Sequence, residues 1–439
     1  MAMSTTPSSL KLDTSRDRAP FQQTAIGELP VDWDVKNLGD LGQVVRGGSP
    51  RPAGAPRFFN GSFIPWLTVA SLTNIPEHQL SVSETVGFLT EEGSKRSRVL
   101  HPGTLIIANS GATLGVAKLL QVTCCANDGI AAIIEQRSGD KVFLCHFINT
   151  QTERLREVIA TGNGQPNLNT ALIREIAVPF PPLPEQRAIA AALSDVDELI
   201  GALEKLIAKK RAIKLATMQQ LLTGKTRLPG FEKTQGYKST EAGLIPEDWR
   251  TTRLGDCGEV IMGQSPPSAS YNRVGLGSPL INGPTEFTKR CPIKIQWTTQ
   301  PARFCRAGDL LICVRGSSTG RTNYSDDKYA IGRGVAAIRA TDGNNTEYLS
   351  YQVISGVAQI LAAATGSTFP SVDGASFRKL TVLLPAPREQ DAIAAVLSDM
   401  DAEITALEQR RDKTKAIKQG MMQQLLTGKI RLVPTEAEA

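Results

Sequence analysis

Apolar positions along this chain follow two different periods. At Ile189, Leu193, Val196, Ile200, Leu203 and Ile207 they alternate steps of four and three, the spacing of a coiled-coil seam, and the spacing returns at Ile393, Leu397, Met400, Ile404 and Leu407. Pro184 and Pro387 stand near the starts of these stretches, and Gly224 and Gly428 near their ends. Each stretch therefore predicts one helix of about 40 residues, roughly 60 Å at 1.5 Å per residue. The seam then falters, because Lys210 and Lys214 fall where apolar residues are due and Arg411 replaces Ile207 in the second copy. Pairing is expected to loosen or change register there. Elsewhere the apolar runs are short and punctuated by glycine: 104–108, 129–135, 309–314 and 334–339 read as strands. The segments 147–160 and 348–364 read as helices, each followed by a polar loop, TGNGQPNLN from Thr161 and TGSTFPSVD from Thr365.

The long helices belong to a repeat. Residues 185–228 return at 389–432 with 28 identities in 44 ungapped positions, a shift of 204. A second repeat opens each half: Pro30, Asp32, Trp33, Leu38, Gly39 and Asp40 match Pro246, Asp248, Trp249, Leu254, Gly255 and Asp256. Between these anchors only a thin frame survives, with Gly103, Gly111, Gly115 and Gly129 answering to Gly308, Gly316, Gly320 and Gly334. The expected order is a disordered tail over 1–24, a variable domain over 25–182 and a helix over 183–228. A linker over 229–242, a second variable domain over 243–385, a second helix over 386–432 and a tail over 433–439 follow.

Composition narrows the function. The net charge of +6 leans toward an anionic partner without implying a uniformly basic face. Residues 25–182 hold 13 Lys/Arg against 14 Asp/Glu, whereas 243–385 hold 15 against 11. The seven cysteines show neither disulfide-framework nor metal-ligand spacing, and no stretch has the length of a signal peptide's apolar core or a membrane span, which points to the cytoplasm. No methyltransferase tetrapeptide or dinucleotide fingerprint is present. Gly162-Asn163-Gly164 lacks a third glycine, and Gly224-Lys225-Thr226 reads as a helix cap because Gln219 stands where a phosphate loop needs its first glycine. His78, His101 and His146 have no Ser or Cys partner in a recognisable motif, so hydrolytic chemistry lacks support.

The openings LPVDWDVKNLGDLG and IPEDWRTTRLGDCG, the junctions PPLPEQRAIA and PAPREQDAIA, and both MQQLLTGK helix ends resemble those of type I restriction-modification specificity subunits, over roughly residues 25–432. The resemblance implies an α+β (mixed α/β) fold of two similar target-recognition domains joined by two long antiparallel coiled-coil helices, a pseudo-two-fold internal repeat. It implies a host-defence protein in which each domain reads one half of a split, double-stranded DNA target. Two methyltransferase subunits, which carry S-adenosylmethionine and modify adenine at N6, would dock on the helices. Restriction subunits, which use ATP and Mg, would complete the complex, leaving this chain with no catalysis, metal or cofactor of its own.

Base readers are expected among polar residues of the glycine-rich loops, since Arg can bridge guanine and Asn or Gln adenine. In the first domain these are Arg46, Arg51, Lys95, Arg96, Asn109, Ser110, Thr113, Asn163, Gln165 and Asn167. In the second they are Gln264, Arg273, Asn282, Lys289, Arg290, Arg315, Ser317, Arg321 and Arg333. Two other classes compete: a fused methyltransferase or nuclease with drifted motifs, which would bind S-adenosylmethionine alone, and a coiled-coil scaffold that never touches DNA. A specificity subunit of another multisubunit restriction system is the nearest alternative.

Overall fold

The computed structural model describes residues 20–160, 166–232, 236–363 and 371–432. Two compact units emerge, Met1–Leu206 with Leu407–Ala439, and Ile207–Ala406. The boundary cuts both long helices, Leu183–Leu221 and Pro387–Leu425, so each unit holds one variable segment and part of each helix.

In the first unit a five-stranded sheet runs in the order Gln43–Arg46, Ile130–Ile134, Leu105–Ala108, Ala117–Leu120, Ser81–Val82. Its central strands are apolar without alternation because both faces are covered. Leu105, Ile107, Ala131 and Ile133 join a core with the helix Lys141–Thr150 and with Ile189 and Leu193 of the long helix. Ile106, Ala108, Ile130 and Ala132 pack instead with Leu67, Leu100 and Cys124 of a second sheet. The helix expected at 147–160 starts earlier, at Lys141, because the Asp140 carboxylate accepts from the backbone N–H groups of Val142 and Phe143, both at 2.9 Å. It closes in a π-helical turn, Leu155–Ile159.

The second unit repeats the plan. Gly258–Met262, Val335–Ala340, Leu310–Cys313 and Thr322–Tyr324 form its main sheet in that order. Leu310, Ile312, Ala336 and Ile338 face a core that includes Leu349 and Val353 of the helix Thr346–Ala363, and Leu311, Cys313, Val335 and Ala337 face the opposite cluster. In both units the strand before the long helix pairs with the strand that follows Trp33 or Trp249: Ala177–Phe180 with Asp34–Asn37, and Thr381–Leu384 with Arg250–Arg253.

Two boundaries differ from expectation. Phe21–Thr24 pairs with Gly27–Pro30, so a strand occupies the end of the stretch 1–24 expected to be a disordered tail. Tyr237–Thr240 likewise pairs with Gly243–Pro246, placing a strand inside the expected linker 229–242. Residues 1–19 and 433–439 lie outside the described residues.

The seam does not simply loosen at its lysines. In the second unit Lys210 pairs with Glu403 at 2.6 Å and Lys214 with Asp401 at 2.5 Å; in the first, Lys415 pairs with Glu204 at 2.8 Å and Lys418 with Asp197 at 2.6 Å. Residue numbers rise on one helix as they fall on the other, so the pairing inside each unit is antiparallel. The apolar period stops where ion pairs between the helices take its place. All seven cysteines are free and six are buried, where burial pushes Cys124 up to about 12. No helix among the described residues is long and apolar enough to cross a membrane.

Candidate nucleic-acid interface

The residues shared by the two halves make a support that occurs twice. Arg431 donates through Nε to Glu185 Oε1 at 2.6 Å, through Nη2 to Glu185 Oε2 at 2.7 Å, and through both terminal nitrogens to Asp32 at 2.9 and 2.7 Å. The Trp33 indole N–H donates to the same Glu185 at 3.1 Å. In the second unit Arg227, Glu389, Asp248 and Trp249 repeat every bond within 0.3 Å. The neighbouring glutamines do the same: Gln186 donates to Pro181 O and accepts from Asp140 N, and Gln390 donates to Pro385 O and accepts from Asn345 N. Gly224 and Gly428, at φ +66 and +68, let the chain leave each helix in the left-handed conformation against Pro246 and Pro30. These knots tie each variable segment to the helices and leave its loops free to differ.

The loops that differ converge on one frame in each unit. In the first, Asp128 sits at its centre. Its carboxylate accepts from the Ser49 hydroxyl at 2.6 Å, its carbonyl accepts from Arg46 Nε at 2.5 Å and Asn109 Nδ2 at 3.2 Å, and Arg51 lies 3.8 Å from its side chain. The Ser49 hydroxyl holds this carboxyl below its ordinary range, with smaller help from Arg46 and Arg51. Ser110 bridges to Asn167 beside it. In the second unit Arg333 occupies the Asp128 position and donates its backbone N–H to Ser265, as Asp128 does to Ser49, both at 3.3 Å. Arg315 occupies the Ser110 position and bridges to Ser371, the counterpart of Asn167. The backbone is shared and the charge is reversed.

The structure thus gathers Arg46, Arg51, Ser110 and Asn167 in one frame, and Gln264, Arg315 and Arg333 in the other, with Ser317 on the turn that follows Arg315. Lys95 and Arg96 stand at the edge of the first, on a turn whose Ser97 hydroxyl donates to Gly48 O at 2.6 Å; Lys95 pairs with Glu91 and Arg96 lies over the Phe58 ring. Asn109 is corrected from reader to support, since it is 1% exposed and its amide holds the Asp128 loop. The Thr113 hydroxyl is buried without a hydrogen-bond partner among the described residues, and the residue lines a cavity with Lys118 and His146. In the second unit Asn282 donates to Gln296 and Arg321 to the Phe287 carbonyl, while Lys289 and Arg290 lie on the exposed loop beside that carbonyl. Arg273 lies on an exposed turn closed by Asn272. Asn163 and Gln165 lie outside the described residues. Asp128 went unread in the sequence, although a charge reversal against Arg333, next to matching Gly129 and Gly334, was there to find.

Comparison with known proteins gives one consistent answer. The family model described as the type I restriction modification DNA specificity domain matches twice, over residues 30–214 and 246–419. A Methanocaldococcus jannaschii chain named for the MjaX specificity subunit of a type I restriction enzyme is 28% identical over 425 residues, covering 94% of this chain and 97% of its own length. The type I restriction enzyme MjaIX specificity subunit of the same organism is 24% identical, covering 94% and 96%. Among solved structures, the type I restriction-modification system S subunit from M. genitalium shares the fold with a TM-score of 0.58 at 14% identity, covering 90% of this chain and 96% of that one. A chain from a study of type I R-M system assembly and conformational transition superposes with a TM-score of 0.55 at 24% identity, covering 91% and 99%.

Proposed function

The chain belongs to the type I restriction-modification DNA specificity family, and from that premise we propose that each of its two frames reads one half of a split DNA target. One observation carries the reading: two matching backbones present Asp128 with Arg46 and Arg51 in one domain, and Arg333 with Arg315 in the other. A carboxylate accepts from the cytosine amino group, whereas arginine donates to guanine O6 and N7. Two such frames, alike in backbone and different in side chain within one internally repeated chain, suit an asymmetric, bipartite sequence. The subunit itself carries out no catalysis. Two methyltransferase subunits supply S-adenosylmethionine and the transfer to adenine N6, restriction subunits supply ATP- and Mg-dependent cleavage, and the assembly works in the cytoplasm.

Replacing residues 243–383 with the matching segment of a relative tests this directly. Methylated-base sequencing of a host carrying the chimera is expected to show one half of the target changed and the other intact. A change in both halves would mean that the domains do not read independently.

A further inference from the structure

Beside the second frame opens a groove of about 640 Å³, between the strand Gly258–Met262 and residues 302–306. Its wall carries Arg303, Arg306, Lys328, Arg339 and Arg378 against one acid, Glu259. Arg339 is neutralised by Asp309, at 2.9 and 2.5 Å, and lies 3.4 Å from Glu259. The others are not. Arg303, Arg306 and Arg378 are exposed, and their guanidinium groups have no hydrogen bond or ion pair among the described residues. The Lys328 ammonium rests over the Phe304 ring at 4.4 Å.

The repeat supplies an internal comparison. The matching positions of the first domain are Arg98, His101, Thr123, Ile134 and Arg174. Both of those arginines are spent on backbone, Arg98 donating to Arg46 O at 2.8 Å and Arg174 to Val44 O at 3.5 Å. At these positions the second domain, and not the first, keeps a set of uncommitted cations among the described residues, and it is also the domain with the basic surplus. Cations crowded this way repel one another, and a concave surface of one sign concentrates anions.

We infer that this groove holds the phosphate backbone of the duplex beside the second half-site, a clamp with no counterpart at the matching positions of the first domain. The inference rests on the specificity reading above. Continuity with the frame identifies the occupant: Ile331 N donates to Arg303 O at 2.9 Å and Gln264 N to Ile331 O at 3.0 Å, so the groove adjoins the loop bearing Arg333. A duplex lying on Arg333 and Gln264 would cross it. Phosphate contacts add affinity and salt dependence without adding sequence preference.

The experiment uses the full chain assembled with its methyltransferase subunits, and duplexes carrying either the target mapped by methylated-base sequencing or a scrambled sequence. Affinity is measured across a salt series for wild type, for Arg303→Gln with Arg306→Gln and Arg378→Gln, and for the corresponding triple Lys variant. The Gln variant is expected to flatten the slope of log affinity against log salt by roughly 2 to 3, at about 0.9 per phosphate lost. Its ranking of second-half-site base variants is expected to stay unchanged, and the Lys variant to keep the wild-type slope. A wild-type slope in the Gln variant would overturn the clamp while leaving the specificity reading standing, and so would weakened subunit assembly without a slope change, which would make the occupant an acidic protein surface. An altered base ranking would make these arginines readers instead. If the wild-type complex did not prefer its mapped target to the scrambled duplex, both conclusions would fall.

Discussion

At the scale of single residues, the two arginines of the repeated knots carry structural weight out of proportion to their number. Arg431→Ala would strand Glu185, whose side chain is 3% exposed, and the loss of a buried partner of this kind costs about 3 to 5 kcal/mol. The expected outcome is a lowered denaturation midpoint with hydrogen-exchange protection lost in the first unit; Arg227→Ala should do the same in the second. Arg315 belongs to the other class of residue, exposed and different from its counterpart Ser110 in the first unit. Arg315→Ala is expected to cost about 1 to 3 kcal/mol at one base pair of one half-site. A uniform loss over all half-site variants would make it a phosphate contact. His146 separates the two domains in another way. Burial, and then the charge of Lys418, push its pKa down to about 3. Below its ordinary 6.5 the unfolded chain takes up a proton that the folded chain refuses, so this group withdraws stability from the first unit as pH falls from 6.5 toward 3. Asp197, pushed up by burial beside it, offsets part of that loss. At the matching position Tyr351 donates its hydroxyl to Asp401 at 2.8 Å, and burial pushes that hydroxyl upward, away from this window. His146→Tyr should therefore make stability in urea less sensitive to pH between about 7 and 5; an unchanged pH dependence would place its origin elsewhere.

At the scale of elements, the long helices are built from three devices in sequence. Apolar residues such as Ile189, Leu193, Ile393 and Leu397 are buried near the helix starts, ion pairs such as Lys418–Asp197 and Lys214–Asp401 follow, and a left-handed glycine ends each helix. That glycine is under two constraints at once. Its φ is positive, and an added Cβ would run into Pro246 at Gly224 or Pro30 at Gly428, with Trp249 or Trp33 just beyond. Gly224→Ala and Gly428→Ala are each expected to destabilise their unit by about 1 to 3 kcal/mol, measurable as a shift in denaturant midpoint. A neutral result would show that the hairpin before each tryptophan yields easily.

At the scale of the whole molecule, the first recognition domain depends on residues 425–432. Leu425, Leu426 and Leu432 lie in the core with Trp33, Leu41 and Phe143, and Arg431 closes the knot on Asp32 and Glu185. Removing residues 426–439 should therefore raise protease sensitivity within 20–182, more than two hundred residues upstream, while the unit Ile207–Ala406 keeps its protection. Cleavage confined to the long helices would contradict this dependence.

The sequence by itself determined what periodicity and repetition can carry. The helix seams lay open in the four-and-three spacing. The strands 104–108 and 309–314 lay open as apolar runs, and the doubled plan lay open in the shift of 204. The family followed from the same motifs. Only the tertiary structure decided which polar residues act together. Asn109 and Arg46 look alike as loop polars, yet one is buried under Asp128 and the other is exposed beside it, because burial depends on which strands flank a loop. Glu185 and Arg431 stand 246 residues apart, and nothing local announces their pairing. The lysines that interrupt the seam read as defects until an acidic partner is placed opposite them. A side chain's role is set by what surrounds it in space, and a linear pattern records only the neighbours that recur at a fixed interval.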